Sequence, residues 1–525
     1  MARVLVAEKI ADIGVAKLRH AGHDVEVRTK MSPDELLEAV AGVHGLIIRS
    51  ATQVTAEVFD AGRDLLIVGR AGVGLDNVDV DAATEHGVLV VNDTLSNIIS
   101  AAEHTMALIL AQARNIPQAH AALVSGRWER SKWQGNELSD KTLGIIGLGR
   151  IGRLVAERAM GFAMRVIASD PYVSEEAALT SVMSLVSLEE LVAQSDFITI
   201  HVARTPDTVG LINADLLERA KPNLRIVNVS RGGIVDEADL AEAVASGRIA
   251  GAALDVFDGE PITESPLFDL DSVVVTPHLG ASTEEAQSKA GDAIAEQVML
   301  ALAGEFVPAA VNVPAKNVPD LLRPYLKLAE QLGQLFGRLC DRLPGLLEVE
   351  LAGEIGRPDN TVAVMAAVKG LLSAVSDMPV SYVNALATAA ERGMEVRGIS
   401  TPSSKDHPNL LTLRGGGHSL GGRLIGTRLE PVLVLADGHA IHMPPAPHMI
   451  LLSNDDRPGM IGAVGTLLGD AGININDMNV GRAPTGESAS MAIATSQPVP
   501  QEVVDGLLAV DGVQTARYLG LAPAS

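Results

Sequence analysis

The chain has 525 residues, 47% apolar and 20% charged, with a net charge of −24; at ~150 residues per domain it exceeds one core and is expected to hold three or four. So acidic a balance excludes a nucleic-acid backbone binder, which needs clustered Lys and Arg, yet leaves room for a small anionic substrate held by local arginines. One cysteine, Cys340, excludes an intrachain disulfide and a thiolate metal site. Aromatics are only 2%, so the cores must be packed mainly with Ala, Val, Leu and Ile. No apolar run reaches the ~20 residues of a membrane span, and MARVLVAEKI lacks the parts of a signal peptide. A cytoplasmic protein without metal is expected.

In chain order, RVLVAE, HDVEVR, GLIIRS, LLIVGRAG and GVLVVND read as strands, with DIGVAKLRHAG, SPDELLEAVAG and DAATEHG as helices between them. That alternation predicts a parallel sheet covered on both faces. A long helical pattern follows over SNIISAAEHTMALILAQARNIPQAHAAL, expected to be capped by Ser96 and interrupted near Pro117. A second strand–helix series runs from KTLGIIGLGRIG through RVIASD, DFITIHVA, RIVNVS, GAALDVF and SVVVTPHL, and the helix STEEAQSKAGDAIAEQVMLALAG closes it. The Pro- and Val-rich stretch at 305–324 predicts a domain boundary, and HMPPAPHM at 442–449 a second. A mixed module lies between them, with Cys340 expected in a helix as a buried apolar residue. The last stretch, under 80 residues, reads as a small α+β unit.

GLGRIG places Gly147, Gly149 and Gly152 in G-x-G-x-x-G spacing, after one strand and at the start of a helix. The next strand ends at Asp170, roughly 20 residues on, where a ribose-binding carboxylate is expected. Gly147 permits the tight turn, Gly149 lets backbone approach a pyrophosphate, and Gly152 lets the helix pack closely. The helix N-terminus faces the phosphates. Asp170 accepts from ribose hydroxyls and repels a 2′-phosphate, so NAD is favoured over NADP.

Three later strand ends carry polar residues. Arg231 follows RIVNVS, Asp255 ends GAAL with Glu260 in the turn beyond it, and His278 follows VVVTP. In an open α/β sheet, ligands bind off the carboxyl ends of the strands, so these side chains can converge on one crevice. Imidazole suits removal of a hydroxyl proton at neutral pH, a carboxylate beside it holds its tautomer, and a guanidinium binds a substrate carboxylate. Each residue also has a plainer reading, as surface cation, turn acid or structural histidine.

The stretches RSAT, GRAGVGLDNVD, SAAEHTMALIL, GRWERSKWQGNEL, LGIIGLGRIG, NVSRGGIVDE, ALDVFDGEP and VVTPHLGAST resemble the D-isomer-specific 2-hydroxyacid dehydrogenases. In length and tail the chain is similar to their long phosphoglycerate-oxidising branch. The resemblance implies a Rossmann nucleotide domain, residues 98–282, inserted in a flavodoxin-like substrate domain, 1–97 and 283–312, with two long helices bridging them. It implies catalysis by Arg231, Glu260 and His278. NAD contacts fall on Arg150, Ile151, Asp170, Thr205, Val229, Ser230, Asp255, Leu279 and Gly280, with Gly280 passing its backbone near the nicotinamide. Substrate anchoring falls on Arg49, Ser50, Asn97, Arg130 and Lys132, the last two reaching a neighbouring subunit's site. HVARTP has Ala203-Arg204 where Pro-Lys is common, and NVSRGG has Ser230 where Ala is usual; both are backbone-contact positions.

The tail narrows the substrate. Residues 447–525, with Asp456-Arg457-Pro458-Gly459 at a strand-to-helix turn and Gly472-Ile473-Asn474 opening the next strand, resemble a βαββαβ ACT domain. That resemblance implies amino-acid sensing, with L-serine on Asn454, Asp456 and Asn474. Residues 317–445 resemble the α+β intervening domain of the long branch. The expected activity is oxidation of 3-phospho-D-glycerate to 3-phosphohydroxypyruvate, the entry to serine synthesis, in a homotetramer. The alternatives are another 2-hydroxyacid substrate, such as glyoxylate, and a regulatory NAD-binding protein of the same fold.

Overall fold

The computed structural model describes residues 1–173, 184–313, 318–376, 380–403, 408–482 and 488–521. Part of the expected boundary, 314–317, lies outside them. Its first sheet has the spatial order Asp24–Val27, Arg3–Val6, Gly45–Ile48, Ile67–Arg70, Leu89–Asn92, every pair parallel. This is the 2-1-3-4-5 order of flavodoxin-like folds. The central runs GLII and VLV are buried along their length, as strands covered on both faces require. The sequence reading leaves out one short helix, Ala56–Ala61. Ser32 and Glu35 form a reciprocal capping box on the helix Pro33–Ala39, which fixes where that helix starts.

The second sheet is parallel throughout, with the order Ser184–Leu185, Arg165–Ser169, Thr142–Ile146, Phe197–Ile200, Arg225–Asn228, Gly251–Leu254, Val273–Val275. Counted along the chain this is 3-2-1-4-5-6-7, the doubly wound dinucleotide order with one added strand. Two helices, Ile98–Arg114 and Glu284–Leu302, pass between the two sheets' units. The first starts differently from expectation. Its cap position is Asn97, not Ser96, and no side chain caps it. The interruption comes at Asn115, which adopts the left-handed conformation (φ 52°) that asparagine tolerates. Pro117 then stands in the first turn of the next helix, Ile116–Val124, where its missing N–H costs nothing.

The stretch from 305 to 313 is not a loose linker. Val307, Ala310 and Val313 are buried, Val311 N–H donates to Val90, and the Asn312 amide bonds Val90 and Val88 on the edge strand. The segment closes the first sheet's open edge before the chain departs.

Beyond it, a six-stranded sheet (Glu395–Thr401, Leu346–Gly353, Asn409–Gly415, His418–Ile425, Glu430–Ala436, His439–Met443) packs on the helices Tyr325–Leu339 and Thr361–Val375. Those helices touch backbone to backbone, because a Cβ on Gly333 or Gly370 would strike a carbonyl of the other helix. Cys340 corrects its expectation: it stands just past the end of Tyr325–Leu339 in extended backbone and is only half-buried. Burial still pushes its thiol up to about 11.

The final unit is βαββαβ, its antiparallel sheet ordered Ile475–Arg482, Ser488–Thr495, His448–Asp455, Val513–Gly520. Met449, Leu451, Ala492 and Leu519 from this sheet share one contiguous core with Leu328, Leu332 and Leu335 of the helix Tyr325–Leu339. Arg517 pairs with Asp341 across the same seam at 2.5 Å. No helix among the described residues is long and apolar enough to cross a membrane.

Candidate active site

The glycine-rich turn is built as its spacing requires. Gly147 has φ +91°, and a Cβ there would lie 2.6 Å from the His201 carbonyl oxygen, so only glycine fits. Gly149 has open space where a Cβ would stand and caps the helix Arg150–Gly161 without any side-chain bond. Its first amide N–H groups therefore face outward with no side-chain acceptor, a ready anion site. A Cβ on Gly152 would strike the Gly147 carbonyl, so the third glycine sets the helix against the turn. Asp170 accepts from the Leu148 N–H (2.8 Å) and the Tyr172 N–H (2.9 Å), which aims it at the turn's open side. Arg150 is exposed and Ile151 half-buried in the first helical turn, while Thr205, exposed, is held by the Thr208 hydroxyl.

At the far end of the same sheet, His278 Nδ1 lies 2.6 Å from Glu260 Oε2, whose other oxygen accepts from the Phe257 N–H at 2.9 Å. A carboxylate only accepts, so Nδ1 carries a proton, and in the neutral ring the lone pair is then on Nε2. Burial pushes the Glu260 carboxyl up, but its bonds to His278 and Phe257 outweigh that and hold it below the usual range, hence ionised. His278 itself has φ +54°, a left-handed conformation rarely held by a non-glycine residue.

Asp255 explains how that turn is kept. Its carboxylate is fully enclosed and accepts from the Thr276 hydroxyl (2.6 Å), the Leu279 N–H (2.7 Å) and the Gly280 N–H (2.8 Å), with His104 Nε2 at 3.2 Å. The expectation of a direct cofactor contact therefore meets a carboxylate with no exposed surface; in this structure it fastens the His278 turn. Gly280 is likewise placed by packing, since a Cβ would lie 2.8 Å from Val229 Cγ1 and 3.2 Å from Asp255 Oδ2. Leu279 is exposed, at 40%, as are Pro277 and His278 before it.

Arg231 follows the strand Arg225–Asn228 and turns toward the first sheet, its Nε 3.6 Å from Asp76 Oδ2. Asn228, absent from the sequence reading, is buried and fixes that turn: its Oδ1 accepts from the Ser230 N–H and hydroxyl, and its Nδ2 donates to the Arg231 carbonyl. Arg70 is a second omission. It lies within GRAG, donates Nε–H to the Arg49 carbonyl at 3.2 Å, and also bonds Gly74. Burial first, then the nearby Arg231 and Arg49 cations, pull it down to about 10, against Asp76 and Glu8. Arg70 thus feels both the Arg231 and Arg49 cations, a local concentration of positive charge that favours an anion nearby.

Glu8 organises the arginine turn by accepting from the N–H groups of Arg49, Ala51 and Thr52. Arg49 and Asn97 line the cleft with Lys9, Gly72 and Gln287, and Asn97 Oδ1 is buried with no partner. Ser50 is exposed beside them. Arg130 and Lys132 are not among the lining residues. Arg130 is exposed, and Lys132 pairs with Asp271 at 2.9 Å in its own subunit.

In the last unit, Asn454 is buried, donates to the Asp455 carbonyl at 2.7 Å, and leaves its Oδ1 enclosed without a partner. Asp456 is exposed, and Asn474 bonds Asn476 at 2.9 Å.

Three family descriptions match successive parts of the chain: "D-isomer specific 2-hydroxyacid dehydrogenase, NAD binding domain" over 106–280, "D-3-phosphoglycerate dehydrogenase intervening domain" over 321–427, and "ACT domain" over 448–511. The D-3-phosphoglycerate dehydrogenase of Mycobacterium leprae is 46% identical over 526 residues, covering 99% of both chains. That of Methanocaldococcus jannaschii is 40% identical over 528 residues, covering 99% of this chain and 100% of its own. The chain belongs to the D-3-phosphoglycerate dehydrogenase family. The solved D-lactate dehydrogenase of Escherichia coli (25% identical, TM-score 0.54) and a glyoxylate reductase from Paecilomyes thermophila (27%, 0.54) each cover 59% of this chain. They cover 100% and 98% of their own chains, so the likeness to them is confined to the catalytic part.

Membership makes the chain an NAD-dependent dehydrogenase, and the residues present fit that dinucleotide: the open Gly149, the uncapped helix and the aimed Asp170. Asp170→Ala is expected to raise the KM for NAD roughly tenfold, the scale of one charge-assisted hydrogen bond, and to erase most discrimination against NADP. Steady-state rates with both dinucleotides check this, and an unchanged KM for NAD contradicts it.

Proposed function

We propose that this chain oxidises 3-phospho-D-glycerate to 3-phosphohydroxypyruvate with NAD, the entry step of serine synthesis. The observation that carries the reading is the His278–Glu260 pair at 2.6 Å, with its free Nε2, on the sheet end that also presents Arg231. NAD, when bound, supplies the hydride acceptor. His278 Nε2 takes the C2 hydroxyl proton as the C2–H bond gives up its hydride, and the Glu260 carboxylate stabilises the imidazolium that forms. Arg231 binds the substrate carboxylate and polarises the C2 oxygen. Arg49 and Arg70, with Ser50 and Asn97 beside them, hold the phosphate, the anion that this concentration of positive charge favours. NAD contacts are assigned to Arg150, Ile151, Asp170, Thr205, Val229, Ser230, Leu279 and Gly280, with Asp255 supporting the last two from behind. Arg130 and Lys132 are assigned to a neighbouring subunit's site.

We divide the chain into a substrate domain of residues 1–97 and 283–312, a nucleotide domain of 98–282, an intervening domain of 317–445 and an ACT domain of 447–525. Assembly into a homotetramer is carried over from the family resemblance; the exposed apolar side chains Ile116, Leu123, Val124 and Trp128 support self-association of the chain.

The deciding measurement is NADH appearance with 3-phosphoglycerate set against glyoxylate. Turnover of glyoxylate alone, or NAD binding without turnover, refutes the assignment. L-Serine is proposed as a feedback effector on Asn454, Asp456 and Asn474, a reading supported by the match of residues 448–511 to the ACT domain description. Millimolar serine should slow the wild-type enzyme, and Asn454→Ala should relieve that inhibition. An unchanged wild-type rate removes the effector.

A further inference from the structure

We propose that His104 is a positioning residue for the reaction: from the helix Ile98–Arg114 it holds Asp255 and Thr276, and through them it fixes the turn that carries His278. Its Nε2 lies 3.1 Å from the Thr276 hydroxyl and 3.2 Å from Asp255 Oδ1. The Thr276 hydroxyl spends its own proton on Asp255 at 2.6 Å, so it has only lone pairs left for His104. Both neighbours of Nε2 therefore accept, and the proton sits on that nitrogen. The Asp255 carboxylate passes the restraint on by accepting from Leu279 and Gly280, and the Asp255 carbonyl accepts from the His278 N–H at 2.8 Å.

Such a chain of bonds has something to restrain. His278 sits at φ +54°, a conformation that is strained for an L-residue and persists only where the surroundings over-determine it. The same helix makes a second contact with this segment. Ser100, one turn before His104 and on the same face, bonds the Thr283 hydroxyl at 2.7 Å. Thr283 in turn caps the helix Glu284–Leu302. The helix Ile98–Arg114 thus holds both ends of the segment that carries His278, at Thr276 and at Thr283, and Glu284–Leu302 starts from the second of them.

The inference rests on His278 being the base, and the test separates the two. His104→Leu keeps the volume and removes the donor, whereas His104→Gln places an amide N–H at similar reach. With the full-length chain, NAD and 3-phosphoglycerate, His104→Leu is expected to lower kcat about tenfold, the scale of one lost hydrogen bond to a charged partner, with the KM for NAD changing less than about twofold. His104→Gln should recover kcat to within about threefold of wild type. A His104→Leu enzyme with wild-type kcat overturns the proposal. So does a His104→Gln enzyme no better than the leucine variant, which marks a merely structural histidine. His278→Asn run alongside tells which reading has failed. If it retains turnover, the base assignment falls and the positioning role with it; if it is inactive while His104→Leu is unaffected, only the positioning role falls.

Discussion

Replacing His278 by asparagine lowers kcat by about two to four orders of magnitude, the range over which a positioned general base acts, and leaves NAD binding nearly intact. Asparagine is the informative choice because it tolerates the left-handed backbone that position 278 adopts at φ +54°. Its side-chain amide can also donate to Glu260 in place of Nδ1, so the carboxylate stays partnered. What the variant lacks is the basic lone pair of Nε2. Stopped-flow or steady-state NADH formation gives kcat, and quenching of NADH fluorescence gives dinucleotide affinity. A kcat within tenfold of wild type eliminates His278 as the base.

Asp255→Ala is expected to destabilise the nucleotide unit by about 3–5 kcal/mol, because it strips a fully enclosed carboxylate from several donors at once. A fall in Tm of roughly 10 °C corresponds to that loss. The sign of its pH dependence follows from the carboxyl's own titration. Burial pushes it up, yet the bonds from His104, Thr276, Leu279 and Gly280 outweigh burial and hold it below the usual range. A group with a depressed folded value contributes stability above its unfolded pKa, about 3.9, and loses that contribution as pH falls through the folded value. The Tm gap between wild type and Asp255→Ala should therefore be constant from neutral pH down to about 5 and narrow below about 4. Calorimetry across that range is the check; equal stability at neutral pH, or a gap that widens in acid, refutes it.

Both variants act on residues that stand out in the sequence, and the reason is local. A strand end, a turn and a glycine spacing each leave a mark within a dozen residues, so Gly147, Gly152, Asp170, Arg231, Glu260 and His278 are all legible without coordinates. The parallel character of both sheets follows from the same alternation of apolar runs and amphipathic helices, whereas their strand orders do not; the flavodoxin-like and Rossmann arrangements are what the family resemblance implies. What stays hidden depends on contacts between distant parts of the chain. His104 looks like any polar residue on an amphipathic helix until Asp255 and Thr276 are folded against it. Arg70 gains its meaning only when Arg49 and Arg231 close around it. Asn228 reads as strand polarity until the Ser230–Arg231 turn bends back on it. Asp255 shows the opposite failure: its position at a strand end is right for a ligand contact, but its neighbours enclose it. Ser96 fails as a cap because the helix begins one residue later than its side-chain chemistry suggests.

The seam between the intervening and ACT units bears on how regulation can be studied. Met449, Leu451, Ala492 and Leu519 are buried against the helix Tyr325–Leu339, and Arg517 is tied to Asp341. Cutting the chain before residue 447 would lay bare an apolar face on the remaining fragment, inviting aggregation. A truncated enzyme that misbehaves would then report on uncovered surface rather than on a missing sensor. Point changes at Asn454 or Asn474 in the intact chain are the cleaner test of the proposed effector site.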